Sequence, residues 1–173
     1  MAKYAFLLIA IFYGPALAQA PVRQAESSAC RKFVQEFYDW YSPLARKSTR
    51  EPAWNLALQR KPEAFRADLL KALKIDSEAA AHAKGDIVGL DFDPFVGGQD
   101  PADHYQARGV SWQGETCLVE VWPGAEAKSK KPDAIAEVVL AGGHWEFQNF
   151  RYPESNSNLV SVLATLRAER QKR

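Results

Sequence analysis

Cys30, Phe33, Val34, Phe37, Tyr38, Tyr41 and Leu44 recur at three- and four-residue steps. That period places them on one side of a helix. Ser27 or Ser28 is suited to cap its start. Pro43 predicts its end, because the residue before a proline is pushed out of helical geometry. Pro52 opens a short helix carrying Trp54, Leu56 and Leu58, and Pro62 fits the first position of the next. Phe65, Leu69 and Leu73 form the inner face of that helix. Asp76 or Ser77 then caps a further helix over 78–84, with Gly85 closing it.

The period changes after Ile87. Residues 87–92 read as a short strand or extended segment, followed by the acidic loop LDFDPFVGGQDPADHY of 90–105. Tyr105 to Trp112 is a strand whose alternation Gly109 interrupts, predicting a bulge. Thr116 to Trp122 alternates cleanly, with Cys117, Val119 and Val121 on one face. Ala134 to Leu140 and His144 to Tyr152 are two more strands, joined by a Gly142-Gly143 turn. Phe150 does not fit the alternation set by Trp145 and Phe147. Ser155 or Asn156 caps a last helix whose inner face is Leu159, Leu163 and Leu166.

Helices, then an antiparallel meander, then a terminal helix make an α+β fold. The helices are expected on one face of a curved sheet. A nuclear-transport-factor-2-like, or cystatin-like, cone has this character. No repeat or long linker divides the chain. One domain is expected over 21–173, with its core at about 30–166.

Residues 1–20 stand apart. Lys3, an apolar run from Tyr4 to Tyr13, Gly14-Pro15 and the small-residue box Ala16-Leu17-Ala18 make a secretory signal peptide. Cleavage is expected after Ala18 or Ala20, with no cysteine following to carry a lipid. The expected location is therefore the periplasm or the outside of the cell, with no membrane attachment after cleavage.

Composition narrows the function classes. The chain has 173 residues, 47% hydrophobic and 25% charged. Without Lys3, basic and acidic side chains balance at 21 each, which argues against a nucleic-acid partner. Cys30 and Cys117 either pair, as an oxidising compartment permits, or remain two buried thiols.

The acidic loop is the first place to look for chemistry. Asp91, Asp93, Asp100, Asp103 and His104 lie close in sequence, but their spacing matches no calcium loop. Zinc would need more converging nitrogen or sulfur ligands. No metal and no cofactor is expected. Asp93-Pro94 and Asp100-Pro101 fit turns in which aspartate bonds local amides, with Phe92 and Phe95 anchored inward. Asp91, Asp93 and His104 are the acid–base candidates if the fold encloses a cavity. Arg151 is expected to pair with Asp91 or Asp93, and Glu154 with Arg108. Arg108, Arg151 and the last helix's N-terminus are an alternative anion site. An exposed face carrying Trp112 or Trp122 would mark a protein partner.

Three blocks carry a resemblance: FVQEFYDWY at 33–41, LDFDPFVGGQD at 90–100 and HWEFQNFRYP at 144–153. They resemble the bacterial domain-of-unknown-function family numbered 3828, whose members are small exported or lipid-anchored envelope proteins. The resemblance implies an exported α+β domain and supplies no catalytic residues. It points to Asp91, Asp93, Gln99 and Asp100 as structural or binding positions without a named ligand. The expected function is a soluble accessory domain of the envelope that binds a protein or small ligand. A small cavity enzyme and a periplasmic inhibitor or immunity-type protein are the alternatives.

Overall fold

The computed structural model describes residues 19–47, 51–83, 88–124 and 129–172. Residues 1–18 of the expected signal peptide, the Gly85 cap and the first residue of the 87–92 segment lie outside them.

The first helix, α1, runs over Gln19–Ala45. It starts before the serines expected to cap it. The Ser27 and Ser28 hydroxyls instead donate back to the carbonyls of Arg23 and Gln24, at 2.8 and 3.1 Å. It also passes through Pro43. The carbonyl left without its i+4 donor is that of Asp39, an exposed residue that water can serve. α2 spans Ala53–Arg60 with Pro52 as its N-cap.

A single 3₁₀ turn, Pro62–Ala64, then leads to α3, Ala67–His82. Pro62 thus opens the turn and not the helix. Phe65 is extended and bridges to Phe147, while the Arg66 amide donates to the Phe147 carbonyl at 2.9 Å. α3 does not break at Asp76 or Ser77. Asp76 is fully buried within it, its carboxylate bonded to the Leu90 amide and to Arg170. Residues 88–92 form no strand. The loop's only described ladder contact is the Asp93–Gly98 bridge.

Four strands follow: β1 (Tyr105–Gln113), β2 (Thr116–Pro123), β3 (Ala134–Ala141) and β4 (His144–Tyr152). The two-residue β5 (Ser157–Asn158) leads directly into α4 (Leu159–Arg170). The sheet order is β1-β2-β3-β4-β5, antiparallel throughout. Asn158, and neither Ser155 nor Asn156, caps α4, its side chain accepting from the Ser161 amide at 3.0 Å.

Two bulges shape the sheet. Arg108 and Gly109 together oppose Glu120, since Ala107 pairs with Val121 and Val110 with Val119. A side chain at 109 would collide with the Glu120 carboxylate, so the expected bulge has a steric cause. The second bulge was not expected. Glu137 faces Asn149 and Val138 faces Phe147, leaving Gln148 as an extra residue on β4. It reverses the alternation, so Phe147 and Phe150 both enter the core.

The helices cover the face that carries Cys117, Val119, Val121, Ala136 and Val138. Phe37 sits at the middle of the core, with the rings of Tyr41, Phe65, Phe95 and Phe147 all within 5.8 Å of it. A disulfide joins Cys30 on α1 to Cys117 on β2, with Cα atoms 6.7 Å apart. The Gln35 amide group covers part of the sheet edge. It donates to the Tyr105 carbonyl at 3.0 Å and accepts from the Ala107 amide at 2.8 Å. Edge groups satisfied in this way are closed to another strand.

Candidate functional site

The acidic loop supplies a tightly bonded turn. The Asp93 carboxylate accepts from the Tyr41 hydroxyl and from the Phe95 amide, the latter at 2.9 Å. The Asp93 carbonyl accepts from the Gly97 amide at 2.8 Å. Gly97 has φ +72°, and a Cβ there would strike the Tyr152 ring, so both conformation and space require glycine. The Tyr38 hydroxyl donates to the Phe95 carbonyl, and the Tyr152 hydroxyl to the Pro94 carbonyl at 2.8 Å. Phe95 is fully buried and Phe92 packs edge-on against Tyr152.

Burial pushes the Asp93 carboxyl up to about 6, against the pull of the Tyr41 hydroxyl and the Phe95 amide. Burial, and then the Asp93 charge, raise Tyr38, Tyr41 and Tyr152 well above the ordinary phenol range. The Asp93 carboxylate and the Tyr38, Tyr41 and Tyr152 hydroxyls are thus all engaged in holding this turn. Such a group holds the loop in place against α1 and β4.

The other expected residues scatter. The Asp91 side chain is exposed, and the Gln99 amide donates to the Asp91 carbonyl at 3.0 Å. Asp100 is exposed. Asp103 pairs with Arg46 at 2.8 Å. His104 is exposed, with its ring against Gly124. No hydrogen bond or ion pair among the described residues links Asp91, Asp93 and His104. No group of three metal-ligating side chains occurs among the described residues.

Arg151 reaches neither aspartate. It lies on the sheet face opposite the core, bonded to Glu137 and to Gln113 at 2.6 Å. The alternation of β4 forces this, because Phe150 and Tyr152 point inward on either side of it. Glu154 pairs with Lys131 at 3.6 Å and not with Arg108. Arg108 bonds Gln106 on its own strand and lies over the Trp122 ring at 5.2 Å. The α4 N-terminus is occupied by Asn149 and Asn158 side chains. The three parts of the anion site are therefore not brought together.

The aromatic expectation has a clearer counterpart. Trp112 on β1 and Trp145 on β4 meet beside the start of α1, with ring centroids 6.2 Å apart. The Trp112 indole donates to the Ser27 hydroxyl at 2.8 Å, and the Arg23 guanidinium covers its face at 4.2 Å. Val22 and Leu140 flank the pair, 58% and 52% exposed. Together they border an open cleft of about 800 Å³. Trp145 also borders an adjoining hollow of about 400 Å³ that reaches Phe33 and Phe37. Trp122, by contrast, is half-buried on the other side of the sheet, its indole bonded to Glu120 at 2.9 Å. Trp145 shares the inward face of β4 with Phe147, so alternation alone reads it as core; it is half-buried and packs against the core, and its position near the strand's start brings it to the cleft. Val22 was missed because the helix was begun too late.

No family model, no curated protein and no solved structure matches this chain.

Proposed function

We propose that this chain is an exported accessory domain of a bacterial cell envelope that binds a protein partner through the Trp112–Trp145 face. The observation that carries the reading is the exposure of Val22 and Leu140 beside that Trp pair. Tryptophan and arginine dominate the binding energy of protein interfaces, especially where apolar neighbours exclude water around them. Arg23, Trp112, Trp145, Val22 and Leu140 supply that combination. The Cys30–Cys117 bridge supports the exported location, since disulfides persist in oxidising compartments. The leader-like 1–20 segment and the three family-like blocks support it too. The order of helices, then a meander, is what supports a nuclear-transport-factor-2-like relationship. If the partner is an enzyme, the role becomes that of an inhibitor or immunity-type protein.

A photo-crosslinking residue placed at Leu140 tests the surface in intact cells. It is expected to give a discrete adduct that disappears when Val22 is changed to Asp. The same probe at Glu154, exposed and away from the Trp pair, should give none. Equal adducts from both positions, or none from Leu140, would remove this face as the partner site.

A further inference from the structure

We propose that the cleft between α3 and α4 binds a single-chain fatty carboxylate, with Arg167 holding its headgroup. The cleft has a volume of about 340 Å³, within the range of small-molecule sites. Leu69, Ile75 and Leu163 form its apolar floor, and Ala72, Ala164 and Ala168 its walls. Val160, at 47% exposure, continues the apolar lining outward. Valine and alanine at steps of four leave this side of α4 narrow enough to admit a chain of methylenes.

The charges at the rim select the headgroup. Asp68 is engaged by Arg66 at 3.4 Å, and Arg170 turns inward to Asp76 at 2.5 Å. The Arg167 guanidinium has no acidic partner among the described residues. A guanidinium matches one carboxylate by a two-pronged hydrogen bond. One free arginine falls short of the cluster of about four to eight cations that binds an anionic bilayer. The volume also favours a single acyl chain over a partner helix. This site is separate from the Trp112–Trp145 face, with the Arg66–Asp68 pair between them.

Calorimetric titration of the full chain with dodecanoate, below its micelle concentration, tests the proposal. Saturable binding of one molecule per chain is expected, with dodecanol about tenfold weaker for want of the charged hydrogen bonds. Arg167→Leu should bring dodecanoate down to the dodecanol level. Ala164→Trp should fill the cleft and abolish both. Ala164 and Ala168 are exposed, so Ala168→Leu serves as a second block if the first variant loses its wild-type melting curve. Leu140→Asp should leave dodecanoate binding unchanged, which keeps this test independent of the partner face. The proposal is overturned if no saturable binding occurs, if folded Ala164→Trp and Ala168→Leu bind as the wild type does, or if dodecanol binds as well as dodecanoate. Binding only to phosphatidylglycerol vesicles, and not to monomeric dodecanoate, would replace it with a membrane contact.

Discussion

Burial of the Asp93 carboxyl gives the fold a pH-dependent stability. Its folded pKa, about 6, lies above the ordinary value of 3.8. The folded chain therefore holds this proton over a range where the unfolded chain has released it. The contribution is fully present below about pH 4 and is lost as pH rises through about 6. A shift of this size corresponds to about 3 kcal/mol. Denaturant melts of wild type and Asp93→Asn across pH 4–7 should show the wild type losing about that much relative to the variant. Parallel curves would show that the carboxyl does not titrate within the fold. The pairing of Asp93 with a turn was legible in Asp-Pro-Phe, because aspartate bonds the amides just after it. Tyr41 as its second partner was not. Nothing local in either segment says that the helix lies over the loop, although Tyr38 and Tyr41 share the helix's apolar face.

Between elements, the clearest device is the fastening of α3 to α4. Asp76 accepts from the Leu90 amide at 2.8 Å and from Arg170 at 2.5 Å, so one carboxylate joins both helices and the segment after α3. Replacing it with Ala leaves the Arg170 guanidinium, only 20% exposed, without its partner. The expected loss is about 3 kcal/mol. Thermal melts of Asp76→Ala check this, and a loss below about 1 kcal/mol would place the pair among weak surface bridges. The sequence suggested a helix cap at Asp76 because aspartate favours caps over helix interiors. Burial with two partners overrides that preference. The strands and the Gly109 bulge were readable, since alternation and glycine mark them locally. The Gln148 bulge was visible only as the misfit of Phe150. The α4 start was placed too early because Ser155, Asn156 and Asn158 all suit a cap, and the β4–β5 pairing decides among them.

For the whole molecule, the α+β class was legible because the hydrophobic period itself changes from helical to alternating along the chain. The surface was less so, because patches such as Val22 with Leu140 join residues far apart in sequence. The bridge spans a sequence separation of 87 and ties the first helix to a strand enclosed on both sides. Closing a loop of that length accounts for about 4.6 kcal/mol in the chain-entropy picture. Disulfides persist in oxidising compartments, so the proposed location and this contribution to stability can be tested together. Peptide mapping by mass spectrometry on protein taken from its native cell, alkylated before any reduction, tests the location and the bridge most directly. The expected result is a mature chain beginning at Gln19 or Pro21, with the Cys30 and Cys117 peptides linked. A chain beginning at Met1, with both cysteines alkylated without reduction, would contradict it.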